Sequence, residues 1–390
     1  MKKKHLFLFF FLLLIKPINA QVQLSVYSEI SIVTAGPGTE LFEAFGHSAI
    51  RIKDPVLQLD LIYNYGVFDY NAPNFYLNFT KGKLLYKLAR YDFKYFLASY
   101  KKDKRWVKQQ VLNLNQEQKN AFFMYLENNA LPQNATYLYD PYFNNCATKL
   151  RDITSGILNN KLQFIDKNIE KDQSFRQLMD KEIPWNTWGS FGINLALGSK
   201  LDQKANYTDY MYLPDYVYTI FKNSTVYIED QTKKLVKKEE TLLDYKELEQ
   251  KISIFNPLLI FGFISLIGIF ITYKDFKKKK RTKWLDFSLL FTTGIIGALI
   301  VFLWFFTNHS TTPKNFNFLW AFAPNLIIAF FMLKENHKKW LRFYFKLLTF
   351  LWILIPVLWV LGVQLFPISV IPFLVLLLVR YLFLDKKLKL

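Results

Sequence analysis

The last third of the chain contains five apolar stretches, and these constrain the fold more than any other feature. They cover residues 254–273, 285–307, 318–333, 345–363 and 366–384. An α-helix needs about 20 apolar residues to cross a bilayer, and only the third stretch falls clearly short of that length. The sequence therefore predicts an all-α domain of five transmembrane helices over 254–384, followed by a basic cytoplasmic tail at 385–390.

Lysine and arginine are distributed unevenly between these stretches. Seven lie in residues 274–283, five in 334–346 and four from Arg380 onward, whereas the alternate loops hold only Lys314. Loops rich in basic residues stay in the cytoplasm. This distribution predicts that residues 21–253 lie on the other side of the membrane.

The amino terminus predicts export independently. Residues 2–4 are lysines, residues 6–15 are apolar, and a short segment ends at Ala20, which together form the pattern of a signal peptide over 1–20. An uncleaved anchor would place residue 21 onward on the same side. We therefore predict a multi-pass protein of the inner membrane whose folded domain lies in the periplasm.

The net charge of +19 does not indicate a nucleic-acid-binding protein. The excess lies beside the apolar segments, since residues 21–253 carry 29 basic and 27 acidic side chains. Nucleic-acid binding requires a basic surface on the folded domain. We therefore expect the membrane, and not a nucleic acid, as the partner of the basic residues.

Residues 21–243 have the patterns of one α+β domain with an antiparallel sheet, joined to the helices by a linker at 244–253. Alternating residues predict strands near 24–34, 47–53, 60–68, 83–91 and 105–114. Helical spacing predicts helices at 115–129 and 146–158, and residues 230–232 are expected to turn a hairpin between 224–229 and 233–237.

This exported domain contains one histidine, His47, and one cysteine, Cys146. A disulfide within the chain is excluded, and neither a metal nor a cofactor is expected, because zinc sites use three or four ligands. Asn144 and Asn145 are typical N-cap residues, so the thiol is expected at the start of a helix, where the helix dipole favours the thiolate. These positions suggest a Cys–His dyad. The alternative, a core cysteine and an unrelated strand-end histidine, stays open.

A thiolate–imidazole pair needs a third polar group that holds the ring. The strand after His47 offers Asn64, or Asp60 at its start, and we favour Asn64 as the third catalytic candidate.

Three further residues are expected to contact the substrate. Tyr142 and Asn145 precede the thiol in the chain, and His309 lies in a loop at 308–316 that is rich in asparagine and threonine. This loop is predicted to face the exported domain or a lipid headgroup. The alternative is that it is only a polar connector.

The chain resembles the Lnb N-terminal periplasmic domain family in four runs of the exported domain: LFEAFGHSAIRI, DLIYNYGVFDYNAPNFYLNFTKGKLLYKL, YDPYFNNCATKLRD and WGSFGINLALGSKLDQ. The run NHSTTPKNFNFLWAFAPN resembles the membrane part of the same proteins. The resemblance covers residues 25–222 together with the loop and the third apolar stretch. It implies a circularly permuted papain-like (NlpC-type) fold in which Cys146 is the nucleophile and His47 the base.

The resemblance also implies lipoprotein N-acyltransferase activity, which belongs to lipoprotein maturation. The acyl donor would be a membrane phospholipid and the acceptor a diacylglyceryl-cysteine lipoprotein. Two other hypotheses remain: a membrane-tethered periplasmic cysteine peptidase or amidase that uses the same dyad, and a non-enzymatic envelope scaffold.

Overall fold

The structure, a computed structural model, describes residues 22–247, 252–335 and 339–388. An α+β domain comes first and a helical domain follows, which confirms the predicted fold class. The predicted signal peptide at 1–20 lies outside the described residues, as does part of the predicted linker.

The strands of the described exported domain belong to two antiparallel sheets. Their bounds are β1 Glu29–Ala35, β2 His47–Asp54, β3 Leu59–Val67, β4 Leu85–Asp92, β5 Val107–Leu112, β6 Thr136–Leu138, β7 Leu162–Gln163, β8 Thr225–Ile228, β9 Gln231–Lys234 and β10 Val236–Leu243. The larger sheet has the order β10-β5-β1-β2-β3-β4-β6, and the smaller has the order β7-β8-β9. The five predicted strands correspond to β1 to β5, and the predicted hairpin corresponds to β8 and β9. The turn of this hairpin lies at Glu229 and Asp230, so part of the predicted turn at 230–232 belongs to β9.

Helices of this domain pack on the larger sheet and lie in the segments that connect its strands. Their bounds are α1 Phe75–Thr80, α2 Phe93–Lys102, α3 Gln116–Asn129, α4 Cys146–Leu158, α5 Phe175–Glu182, α6 Trp188–Ala196 and α7 Pro214–Asn223. The predicted helices correspond to α3 and α4. Buried side chains of α4 and α7, such as Leu150 and Phe221, pack with Ile32 and Tyr63 of the sheet in one hydrophobic core.

The membrane domain contains α8 Pro257–Lys278, α9 Lys283–Phe305, α10 Asn325–Phe331, α11 Trp340–Val360 and α12 Ile371–Lys387. Four helical segments of the described residues are long and apolar enough to cross a membrane, and the last of these runs over Ile368–Lys387. The fifth predicted helix is not confirmed, because the third apolar stretch holds a 3-10 turn at Phe316–Leu319 and the seven-residue α10 in place of one long helix. The expected tail at 385–390 begins inside α12.

The third stretch is interrupted where its backbone packs directly on α9. A Cβ atom added to Gly294 would lie 2.1 Å from the nitrogen of Leu326, and one added to Gly297 would lie 2.0 Å from the oxygen of Ala321. Glycines of this kind let two backbones approach closely inside a membrane domain. The third stretch therefore packs closely on α9 and does not form one continuous helix.

The two ends of this interrupted stretch lie at opposite ends of α9. Near its start, Asn317 Nδ2 donates to the carbonyl oxygen of Asn194 in the exported domain at 3.1 Å. Near its end, Arg281, which lies just before α9, donates to the carbonyl oxygen of Met332 at 2.9 Å. The number of crossings inferred from the basic loops stays a prediction.

The loop before the third stretch binds the exported domain. Asn315 Nδ2 donates to the carbonyl oxygen of Leu195 at 2.8 Å, and the N–H of Gly198 donates to the carbonyl oxygen of Thr311 at 2.9 Å. A Cβ atom on Gly198 would lie 1.9 Å from the oxygen of Pro313, so only glycine fits there. This loop of the membrane domain is therefore bound to the exported domain by hydrogen bonds.

Candidate active site

His47 begins β2, and Asn64 lies on the adjacent strand β3. The Nε2 atom of His47 is 2.6 Å from Oδ1 of Asn64. Gly46 precedes the strand with φ +70°, and a Cβ atom there would lie 2.9 Å from the oxygen of Ala35. The chain therefore enters β2 through a conformation and a close approach that favour glycine, and this entry sets the position of the imidazole.

Cys146 is the first residue of α4, as the sequence predicts. The N-cap Asn145 accepts a hydrogen bond from the N–H of Thr148 at 2.9 Å, and the Thr148 hydroxyl accepts one from the N–H of Asn145 at 2.8 Å. This capping box fixes the helix start, and the positive end of the helix dipole then lies at the thiol.

The two reactive groups change each other's pKa. Burial raises the pKa of the Cys146 thiol and lowers that of the His47 imidazole, because it disfavours both charged forms. The attraction and hydrogen bond between the two groups outweigh burial. The pKa of Cys146 therefore lies below its ordinary value, and the pKa of His47 lies above its own. The interaction between the two groups therefore favours the charged form of each.

Backbone groups stabilise the thiolate further. The N–H groups of Ser48 and Ala147 hydrogen-bond to Cys146 and lower its pKa. One of them comes from the strand that holds the imidazole and the other from the first turn of α4. Because Nε2 of His47 faces Asn64, the other ring nitrogen, Nδ1, is free to bond to the thiol.

The structure separates the two candidates for the third group. Asp60 is held by Arg51 through two contacts, at 2.7 and 2.8 Å. Asn64 bonds to His47, and its Nδ2 donates to the hydroxyl of Tyr91 at 3.0 Å. Tyr91 was not foreseen from the sequence, because it lies on β4 and only strand pairing brings it next to Asn64.

Two of the predicted substrate contacts are part of the packed structure instead. Asn145 Nδ2 donates to the carbonyl oxygens of Pro141 and Tyr212 at 2.7 and 2.8 Å, and this leaves no free amide proton for a substrate. The buried Tyr142 hydroxyl donates to Sδ of Met179 at 3.0 Å. Both side chains therefore stabilise the fold around the thiol, and their contact with a substrate stays a prediction.

His309 lies against α1 and not beside the thiol. Its ring centroid is 6.5 Å from that of Phe79, and a Cβ atom on Gly82 would lie 2.5 Å from its backbone nitrogen. Burial lowers the pKa of His309 below its ordinary value. The next residue, Ser310, donates its hydroxyl to Asp140 Oδ2, so this loop reaches the segment that precedes Cys146.

Gly66 and Tyr139 were also missed from the sequence. Gly66 has φ +89°, and a Cβ atom there would lie 3.5 Å from the Tyr139 ring and 3.8 Å from Cβ of Cys146. A glycine inside a strand pattern is a sign of such a close approach, and this sign was present in β3.

The chemistry of the site follows from its groups. A thiolate beside an imidazolium can attack a carbonyl carbon, and the imidazolium can then protonate the leaving group. Within residues 22–247, 252–335 and 339–388, no cluster of three or more histidine, cysteine, aspartate or glutamate side chains is placed to hold a metal ion.

Comparison with known families gives two matches that together cover most of the chain. The Lnb N-terminal periplasmic domain matches residues 17–189, and the Lnb transmembrane domain matches residues 249–388. Comparison with curated proteins and with solved structures gives no match.

Proposed function

The chain belongs to the Lnb family, a family of membrane proteins with a periplasmic domain, and from this premise we propose that it is a lipoprotein N-acyltransferase of the inner membrane. It moves a fatty acyl chain from a phospholipid, through a thioester on Cys146, to the N-terminal amine of a diacylglyceryl-cysteine lipoprotein. The observation that carries the proposal is the Cys146 thiol at the start of α4, paired with the His47 imidazole that Asn64 holds, in a domain docked on apolar helices.

In the first half-reaction the thiolate of Cys146 attacks the carbonyl carbon of a phospholipid ester. The carbon–oxygen bond of the ester breaks, and a carbon–sulfur bond forms. The lysophospholipid oxygen leaves and takes the proton of the His47 imidazolium. We expect backbone N–H groups near the thiol to stabilise the developing oxyanion.

In the second half-reaction the amine of the lipoprotein attacks the thioester carbonyl. His47, now neutral, takes a proton from that amine as the carbon–nitrogen bond forms. The carbon–sulfur bond then breaks and returns Cys146 to the thiolate, with the imidazole again protonated. The cycle needs no further reactant, because the energy of the ester is retained in the thioester.

The docking between domains supports a substrate held in the membrane. The loop that precedes the third apolar stretch binds α6 through Asn315 and binds Asp140 through Ser310. Asp140 in turn accepts hydrogen bonds from the N–H groups of Tyr142 and Phe143 at 2.9 and 3.0 Å, within the segment that leads to the thiol. The site is thereby held close to the membrane domain, where both lipid substrates reside.

Intact-protein mass spectrometry tests the proposal. The full chain is mixed with phospholipid in detergent, and a fatty-acyl mass is expected on the wild type and not on Cys146→Ala. Addition of a diacylglyceryl-cysteine peptide should remove that mass and yield an N-acylated peptide. Release of the acyl group to water alone would favour the hydrolase hypothesis. Equal lipoprotein N-acylation in cells by wild type and Cys146→Ala would overturn the assignment of Cys146.

A further inference from the structure

Residues 68–86 connect β3 to β4 and include the first two residues of β4, and we call them the aromatic segment. It contains α1, a helix with no buried residue. The side chains of Tyr76 and Leu77 are 73% and 51% exposed. Contiguous exposed apolar surface of this kind marks a site that contacts another apolar body.

A continuous series of rings leads from the aromatic segment towards the thiol. Phe75 lies 6.0 Å from Phe68 between ring centroids, and Phe68 lies 5.0 Å from Tyr86. Tyr86 stacks on Tyr139 at 4.4 Å. Since Gly66 lies next to both the Tyr139 ring and Cβ of Cys146, the series ends close to the candidate nucleophile.

The other end of the aromatic segment is attached to the membrane domain. The N–H of Asn308 donates to the carbonyl oxygen of Lys81 at 2.8 Å. The residues just before that contact, at the end of α9, are Phe305 and Phe306, which are 65% and 70% exposed. Exposed apolar side chains therefore lie on both sides of this contact, at the end of α9 and on the aromatic segment.

The charge of this region fits a lipid headgroup. Between Asp69 and Asp92 the chain carries no acidic residue, and it carries Lys81, Lys83 and Lys87 as exposed side chains. Basic residues beside apolar ones at a membrane surface attract lipid phosphate groups, while their stems lie along the apolar region.

A small cavity lies under α1, lined by Phe75, Phe79 and Tyr86 among others, with a volume of about 110 Å³. This space holds only part of an acyl chain, so the rest would lie along the exposed rings. We propose that the aromatic segment enters the periplasmic interface of the bilayer and binds one acyl chain of a phospholipid, which the rings direct to Cys146. The role of this binding in catalysis rests on the proposed acyl transfer, whereas the binding itself does not.

A label on the aromatic segment tests the insertion without any catalysis. Cys146 is the only cysteine of the chain, so Cys146→Ala gives a full-length protein without thiols. In that background Leu77→Cys receives an environment-sensitive fluorophore. The matched control is Val56→Cys, which is 61% exposed at the β2–β3 turn, the end of the sheet opposite His47.

The labelled proteins are placed in nanodiscs of phosphatidylethanolamine and phosphatidylglycerol that contain lipids with nitroxides on the acyl chains. We expect at least fivefold stronger quenching of the label at 77 than of the label at 56, and weaker quenching of the label at 77 by aqueous iodide. Equal quenching of both labels by the lipid nitroxide would overturn the proposal.

A second experiment tests delivery of the acyl chain. Leu77→Asp and Val56→Asp are compared with the otherwise unchanged protein for acylation of Cys146 by phospholipid and for alkylation by iodoacetamide. We expect Leu77→Asp to lose at least tenfold in acylation, a loss that exceeds any change in its alkylation rate, whereas Val56→Asp should acylate like the wild type. Loss in both variants to the same extent would contradict the delivery role.

The two proposals fail in different ways. If the wild type forms no acyl-enzyme but the label at 77 is quenched by lipid, the proposed function is wrong and the membrane contact stands. If the acyl-enzyme forms but Leu77→Asp acylates at the wild-type rate, acyl transfer stands and the aromatic segment does not deliver the chain.

Discussion

The protein buries ionisable groups in two places that are built in different ways. At the candidate active site, the buried Cys146 and the half-buried His47 interact with each other and with few other groups. At the far end of the membrane domain, Arg380 bonds to Asp286 at 2.6 Å and to Asp275 at 2.8 Å. Arg281 bonds to the second oxygen of Asp286 at 2.9 Å.

The difference between the two sites concerns how many partners each charge has. In the Arg380 cluster each carboxylate has a guanidinium partner, and Asp275 also accepts from the N–H and hydroxyl of Thr282. Such a network joins α8, α9 and α12 and leaves little capacity for a ligand. The thiolate at the active site relies on one imidazolium and two backbone N–H groups, so an incoming carbonyl can react with it. We infer that the first site is reactive and the second is structural.

Replacing His47 should give the largest effect. We expect His47→Ala to reduce acylation of Cys146 by about 10²–10⁴-fold, because proton transfer to the leaving oxygen is lost. The pKa of the thiol should rise, since the imidazolium that lowers it is gone while burial, which raises it, remains.

The rate of iodoacetamide alkylation as a function of pH measures this change directly. In the wild type the rate should fall as pH decreases through a midpoint below the ordinary thiol value of about 8.5. In His47→Ala that midpoint should move to higher pH. A midpoint that does not move would show that His47 does not stabilise the thiolate. The inference that the Cys146–His47 site is the reactive one would then be wrong.

The sequence predicts the His47 and Cys146 positions well for local reasons. The helix start at Cys146 follows from the N-cap Asn145, and the strand start at His47 follows from Gly46 and the alternation after it. Tyr91 could not be found in this way, because its contact with Asn64 depends on the register of β3 and β4. Contacts between strands are set by tertiary packing, which a single sequence does not encode locally.

Breaking the Arg380 cluster should give an intermediate effect, on stability and not on chemistry. Asp286→Ala leaves Arg380 and Arg281 buried with one carboxylate lost. Removing one partner of a buried ion pair costs about 3–5 kcal/mol, because the remaining charge is uncompensated. We expect a corresponding loss of the free energy of unfolding in detergent, with an unchanged alkylation rate at Cys146.

Glu335→Gln is the control for this substitution. Glu335 pairs with Lys283 at 2.9 Å near the same end of α9, but its side chain is 85% exposed, and we expect no measurable loss of stability. If Asp286→Ala also slowed alkylation of Cys146, by a factor that corresponds to its loss of free energy of unfolding, the two buried sites would be coupled. The assignment of a purely structural role to the Arg380 cluster would then be wrong.

In the membrane domain, hydropathy predicts where the apolar stretches lie but not whether each is one continuous helix. Hydropathy finds the third apolar stretch but treats it as one helix, whereas Gly294 and Gly297 of α9 admit its backbone and Asn325 donates to Thr293 Oγ1 at 2.9 Å. These contacts depend on two segments at once, α9 and the third stretch. The composition of one segment therefore predicts where the stretch lies but not where its helix is interrupted.

Asn64→Ala should have a smaller effect than His47→Ala or Asp286→Ala, because Asn64 acts through His47 and does not touch the substrate. Its Oδ1 accepts the hydrogen bond from Nε2 and raises the pKa of the imidazolium, so the pKa of His47 should fall in the variant. We expect about tenfold slower acylation, equivalent to about 1.4 kcal/mol, with most of the loss in kcat and little in KM.

Tyr91→Phe removes only the acceptor of Asn64 Nδ2, and its acylation rate should fall less than that of Asn64→Ala. Asn64→Asp keeps an oxygen for the Nε2 proton and should recover part of the rate. A mere packing role for Asn64 would lower stability in Asn64→Ala without moving the pH midpoint of the imidazolium, and that result would limit the reactive group to Cys146 and His47.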